Sequence, residues 1–291
     1  MKSRRFIYAS LVATTIVWGG SFVAVKNALQ YLSPVQLLLM RFIPAGLAFA
    51  LLLWWRERSA LPGLLREHWR SLCWMGLFGV VAYHSALNVG EQLIPAGTAS
   101  VLMALNPAFI ALLSLIFLGE RMTRARVLGF VLSFAGLLVV VRFASGDEVD
   151  FRFLQGVLIT LIAPISWAAY TVISRPLAAR HSPLAVTGLG TIIGTVPIVG
   201  TARRSLLPKL SAMPVDGWAS IAFLAFFATV FGVSTWVMAL EKMEASRVGA
   251  FIYLVPLWAV LLSLLLLGEP ITLPLAVGGA AIIGGVALVS R

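Results

Sequence analysis

Leu112-Leu113-Ser114-Leu115-Ile116-Phe117-Leu118-Gly119-Glu120 returns 149 residues later as Leu261-Leu262-Ser263-Leu264-Leu265-Leu266-Leu267-Gly268-Glu269. Outward from this pair the correspondence continues without a gap. Pro107 falls on Pro256, and Thr123, Gly129 and Gly136 fall on Thr272, Gly278 and Gly285. Toward the N-terminus Phe78 falls on Phe227, Trp69 on Trp218, Ser33-Pro34 on Ser182-Pro183 and Trp18 on Trp167. Leu and Gly coincide easily in an apolar chain. With nine tryptophans and 14 prolines in 291 residues, these matches are too many for chance. The chain is a duplication, and we divide it into repeats at 1–145 and 150–291.

Hydrophobic residues make up 60% of the chain and charged ones 11%, far from the composition of a soluble domain. Apolar runs long enough to cross about 30 Å of hydrocarbon recur between short polar breaks. They lie near 6–30, 33–55, 70–93, 98–118, 126–143, 153–174, 183–201, 217–240, 246–267 and 272–289. None shows the ten-residue alternation of a membrane barrel strand. The expected fold class is therefore all-α integral membrane, with ten transmembrane helices as a 5+5 repeat. Met1-Lys2-Ser3-Arg4-Arg5 imitates the start of a signal peptide, but the run behind it is too long and lacks a clear cleavage site, so it is expected to remain as the first span.

Five spans per repeat make the second copy enter from the opposite face, an inverted-topology repeat. Charge supports this, because Lys and Arg collect in cytoplasmic loops. With both termini inside, 15 Lys and Arg fall in cytoplasmic segments and five outside. Equivalent loops reverse their charge: Arg121, Arg124 and Arg126 follow Glu120, whereas 268–275 carries no base. Arg203, Arg204 and Lys209 dissent, on the expected outer side. The net charge of +11 is explained by this loop pattern, and nucleic acid is not expected as a partner. No Gly-rich phosphate loop is present. Cys73 is the single cysteine, and His68, His84 and His181 are scattered, so neither a metal site nor a cofactor is expected.

The ordered set Trp18-Gly19-Gly20-Ser21-Phe22, Arg41-Phe42, Asn106-Pro107 and Leu118-Gly119-Glu120 is repeated through Ile165-Ser166-Trp167-Ala168-Ala169-Tyr170, Val255-Pro256 and Leu267-Gly268-Glu269. In this the chain resembles the drug/metabolite transporter superfamily in its EamA branch, over almost its whole length. The resemblance implies a multi-pass transporter of the bacterial inner membrane that exports small metabolites, often amino acids. The expectation is a secondary carrier for neutral or aromatic amino acids working by alternating access, as a monomer or homodimer. Other metabolites or cationic drugs are the alternative. Val255, where the first repeat has Asn106, departs from the pattern.

Polar and aromatic residues at mid-span are the candidates for the pathway, since isolated polar groups are costly against lipid. Tyr83, His84 and Asn88 cluster in the third span, and Trp18 and Trp167 hold equivalent places in the first and sixth. With Tyr170, Trp236 and Tyr253 they are expected to wall an aromatic cavity suited to amphipathic solutes; the bland account is packing. Asn106 is read as capping backbone groups freed by Pro107. Pro107 and Pro256 are expected to perturb their helices beside the path. Lys26 is read as snorkelling outward, with a carboxylate partner at the outer mouth as the alternative. Arg41 is read as structural or interfacial, and Glu120 and Glu269 as helix terminators. No Asp or Glu is placed deep in a span, and Glu91 and Glu241 are read as peripheral. His84 then lacks a carboxylate partner for a proton relay, and facilitated passage is favoured over proton exchange, which would have to use His84, Glu91, Glu241 or water. An intramembrane transferase is the reading from another class. It requires a clustered base or metal and larger loops, so no catalytic residue is assigned and the chain is read as no enzyme.

Overall fold

The computed structural model describes residues 4–59, 61–118, 123–143, 151–201, 206–243, 248 and 251–289, and they are helical nearly throughout. In the first repeat α1 spans Arg4–Ala28 and α2 Pro34–Arg56. α3 (Leu61–Gly76) runs through a π-helical segment (Leu77–Ala82) into α4 (Tyr83–Leu93). α5 (Ala96–Met103), α6 (Asn106–Leu118) and α7 (Arg124–Phe143) follow. In the second, α8 spans Phe151–Ala178, α9 Pro183–Val199 and α10 Leu206–Ala212. α11 (Val215–Ala222) runs through a π-helical segment (Phe223–Phe231) into α12 (Gly232–Lys242). A 3₁₀ turn at Phe251–Tyr253 leads to α13 (Leu254–Leu267), and α14 (Leu273–Val289) closes the chain.

Among the described residues six helical stretches are long and apolar enough to cross a membrane, and four shorter apolar ones accompany them at Val127–Val140, Pro183–Val199, Phe251–Leu267 and Leu273–Gly285. Large apolar side chains on the outside, such as Leu47, Leu51, Trp54, Trp55 and Phe117, suit a hydrocarbon surround.

Local sequence explains the helix ends. Ser33 caps α2: its hydroxyl accepts from Gln36 N, the Gln36 side chain accepts from Ser33 N at 2.9 Å, and Pro34 occupies the first turn. The equivalent Ser182 instead donates to Glu57 Oε1 at 2.8 Å, tying the α8–α9 turn to the end of α2. Gly268 ends α13 at φ 67°, a left-handed cap that suits glycine. On the exposed surface Tyr31 donates to Asp216 at 2.9 Å. That bond, then burial and the carboxylate charge, raises the phenol above its usual range.

Three departures from the sequence expectation stand out. The third helix begins at Leu61, and His68 (φ −126°, ψ 19°) interrupts α3 midway. The expected span 98–118 is broken, because α5 stops at Met103 and α6 starts at Asn106. In the dissenting loop the described part, including Lys209, forms α10; Arg203 and Arg204 lie outside the described residues.

The packing respects the duplication. α1 lies against α13 and against α11–α12, and α8 lies against α5–α6 and α4, the same relations after the 149-residue shift. The equivalents α2 and α9 pack together, as do α7 and α14. In the latter pair a Cβ on Gly136 would stand 2.6 Å from the Gly278 carbonyl oxygen, and one on Gly285 2.6 Å from the Gly129 carbonyl oxygen. Position numbers thus rise along one helix while falling along the other. Glycine is needed here because the two backbones touch. Ser133 Oγ bonds the carbonyls of Gly129, at 2.8 Å, and of its own equivalent Ile282, at 3.4 Å.

Candidate functional site

The main cavity is enclosed by helices of both repeats. α1 gives Trp18, Ser21 and Phe22, α2 gives Arg41, and α4 gives Tyr83, His84 and Leu87. Met103 and Asn106, beside the break before Pro107, and Ile252 and Val255, at and just after the 3₁₀ turn before Pro256, also line it. Trp167 of α8, with Ala228 and Val233, completes the wall. The cavity and the open space at its mouth together hold about 540 Å³.

At its centre Trp18 and Trp167 meet edge to face, with centroids 5.4 Å apart and planes at 86°. Trp236 lies behind both, at 5.4 Å from Trp18 and 6.0 Å from Trp167. Tyr83 stands 5.4 Å from Trp167 on one side, and Tyr170 stacks on it at 5.1 Å on the other.

The π-helical segment Phe223–Phe231 supplies two anchors. Its Ala228 carbonyl accepts from Trp18 Nε1 at 3.0 Å. Its Thr229 hydroxyl donates to Leu224 O at 2.9 Å and accepts from Arg41 Nε at 2.9 Å. A π turn carries one residue more than an α turn and disturbs the regular ladder, which suits it to such contacts. The matching segment Leu77–Ala82 carries Gly79, over which the Tyr170 ring lies too closely for a Cβ to fit without a shift.

Of the residues singled out from sequence, Trp18, Tyr83, His84, Asn106 and Trp167 line this cavity. Tyr170 lines a smaller adjoining one of about 290 Å³ that shares His84 and Trp167. Asn88, Trp236 and Tyr253 are not among the residues that line this cavity. Trp236 is 1% exposed behind the two central rings, Asn88 reaches Pro34 O at 3.3 Å, and Tyr253 packs beside the core at the 3₁₀ turn. Pro107 and Pro256 sit in the first turns of α6 and α13, each just after the interruption, where a missing N–H is tolerated. The amide oxygen of Asn106 is buried without a partner among the described residues.

Of the two readings of Arg41, structural or interfacial, its position is against the interfacial one. It is 5% exposed, bonded to Thr229, and the one formally charged side chain in the main wall. Its place early in a span hid this, since the π turn that receives it leaves no sequence signal. Lys26 does not snorkel: its ammonium donates to the carbonyls of Glu91 and Ile94 at 2.7 and 2.9 Å. Glu91 is not peripheral but fully buried. Glu269 accepts from Ala96 N and Gly97 N at 3.0 and 3.1 Å, capping α5 of the other repeat; Glu120 lies outside the described residues. His68 and His181, scattered in sequence, come within 5.0 Å ring to ring, and with Glu67 form a cluster whose ligating atoms lie within 4.8 Å of one another.

The model of the EamA-like transporter family matches this chain twice, over residues 5–142 and 154–291. The chain belongs to the EamA-like transporter family. Among EamA relatives, an uncharacterized transporter of Archaeoglobus fulgidus is 32% identical over 97% of both chains. A probable terminal-alkyne amino-acid exporter of Streptantibioticus cattleyicolor is 34% identical over all of this chain and 95% of its own. The uncharacterized transporter YyaM of Bacillus subtilis is 29% identical over 96% and 92%. A solved crystal structure shares the fold with a TM-score of 0.67 at 22% identity, covering 98% of this chain and 96% of that one. Family and apolar helices together make this a multi-pass membrane transporter of the drug/metabolite type, whose partners are a small-molecule substrate and the bilayer.

Proposed function

We propose that this EamA transporter exports neutral or aromatic amino acids by alternating access, from a bacterial inner membrane with both termini cytoplasmic. The observation that carries the substrate class is Arg41, a buried guanidinium in an aromatic cavity that has no carboxylate among its described lining residues. Only Nε is engaged by Thr229, so the rest of the planar fork remains to pair with a substrate carboxylate. The unpartnered Asn106 Oδ1 accepts from the ammonium, and the indoles of Trp18 and Trp167 take the side chain. The relative named as a probable amino-acid exporter supports the same reading.

Two repeats, 1–145 and 150–291, in ten spans of opposed orientation supply the motion. The opposite run of the equivalent helices α7 and α14 supports the inversion. An inverted pair reaches its second state by exchanging the shapes of its halves. The narrow cavity, with Trp18 and Trp167 in contact at its centre, suits a state closed at mid-membrane.

Purified protein in liposomes preloaded with unlabelled amino acid is expected to take up labelled phenylalanine, leucine or tryptophan by exchange, with R41Q losing most of the rate. Exchange of organic cations with none of amino acids overturns the substrate class and favours the drug alternative.

A further inference from the structure

His84, Asn88 and Glu91 stand at helical spacings of four and three on α4, so they share one face. Each is buried and carries a polar atom without a partner among the described residues: His84 Nδ1, Asn88 Oδ1 and both oxygens of Glu91. The file starts at the cavity, where His84 is part of the wall, and ends two residues before the end of the helix. The positions equivalent to these three are Val233, Val237 and Leu240, all hydrocarbon. The polar file therefore exists in one repeat only.

Several charges face Glu91. α1 brings Lys26, whose ammonium is held on the carbonyls of Glu91 and Ile94. The turn after α13 brings Glu269, already engaged by Ala96 N and Gly97 N of α5. α2 brings Arg41, from the cavity side. α8 faces this stretch with Gly156 and Thr160, and Thr160 is satisfied by the Gly156 carbonyl at 2.7 Å. An ionised carboxylate held here without a hydrogen-bond donor is strongly disfavoured, whereas a neutral carboxyl is tolerated. Lys26 supplies the charge that makes ionisation reachable once water or a small rearrangement enters.

Resting on the transport reading above, we propose that Glu91 is the proton-binding group that couples outward substrate movement to inward proton movement. In the proposed topology Glu91 lies toward the outer face. A proton from outer water adds to one carboxylate oxygen and gives the neutral acid. It leaves along water held past the Asn88 amide oxygen, which accepts a hydrogen bond but does not itself titrate, to His84 and from there to cavity water when the cavity opens inward, and the carboxylate is restored. Each side of the step conserves one proton, and no other reactant is needed. This reverses the expectation of facilitated passage, which rested on the absence of a buried carboxylate.

The test uses the full chain in liposomes and two readouts. Exchange without a gradient reports transport, and the ratio of gradient-driven to exchange rate reports coupling regardless of how much protein is folded. In the wild type a proton gradient directed against substrate flux is expected to raise this ratio several-fold. In E91Q and in N88L the ratio is expected to fall to one. A wild type that exchanges amino acid but ignores the gradient overturns the proposal and leaves the transport reading standing. If the wild type exchanges no amino acid, the substrate reading fails and the infrared band of a buried protonated carboxyl, recorded without substrate, decides Glu91. Loss of that band in E91Q supports the proton site, and an unchanged band overturns it.

Discussion

Trp18 and Trp167 occupy the same position in the two repeats and touch each other edge to face across 5.4 Å. Equivalent residues meet only where the relation between the halves passes through them, so the centre of the cavity is also the centre of the duplication. Their indoles differ in one respect: Trp18 Nε1 donates to Ala228 O, while Trp167 Nε1 has no partner among the described residues. W18F is therefore expected to lower stability by about 0.5–1.5 kcal/mol, the net worth of one hydrogen bond. W167F is expected to change it by less. Thermal melts in detergent, compared between the two variants, check the order.

Thr229 holds the charge in the cavity. T229V leaves Arg41 Nε without its acceptor, and a lost partner of a buried charged donor costs about 1–3 kcal/mol. The guanidinium is expected to turn and substrate affinity to fall about tenfold, read as a raised half-saturation concentration for exchange. T229S, which keeps the hydroxyl, is expected to restore it. Equal loss in both variants returns Thr229 to packing.

The cap on α5 depends on a residue from the other repeat. E269A removes an acceptor from two N–H groups at a helix N-terminus, expected to cost about 0.5–2 kcal/mol. E269Q keeps one acceptor oxygen and is expected to lose about half as much. Chemical denaturation of the two proteins gives the comparison.

Where α7 and α14 cross, G278V places a side chain against the Gly136 carbonyl and Val140, and overpacking of this kind costs about 1–3 kcal/mol. Gly284, whose nearest neighbour to an added Cβ is 4.0 Å away, tolerates alanine in the same helix. A lower melting temperature for G278V with G284A near wild type is the expected pattern.

Reporter fusions placed after Arg126 and after Pro274 are expected on opposite faces of the membrane. Both on the cytoplasmic side sinks the inverted arrangement.

Much of the architecture was legible because membrane burial writes itself into composition. The duplication showed through rare residues, and the paired interruptions before Pro107 and Pro256 followed from a ring that cannot donate. Arg41, Lys26, Glu91 and Glu269 were not legible. Each sits near the end of a hydrophobic run, where a charge in sequence looks like an interfacial one. What engages three of them is a partner from a distant part of the chain: the π turn for Arg41, the carbonyls of Glu91 and Ile94 for Lys26, the start of α5 for Glu269. The opposite error affected Trp236, whose mid-span position is as central as that of Trp18, though it faces the rings and not the opening.

The two π-helical segments bear on the history of the chain. Leu77–Ala82, shifted by 149 residues, falls wholly inside Phe223–Phe231. An extra residue within a helix rotates everything beyond it by about 100°, so it survives only where the packing around it was built for that rotation. Finding it at the same place in both copies dates the insertion before the gene doubled. The ancestral half already carried the widened turn, and the two copies now put it to different use: the second receives Arg41 through Thr229, while the first leaves room at Gly79 for the Tyr170 ring.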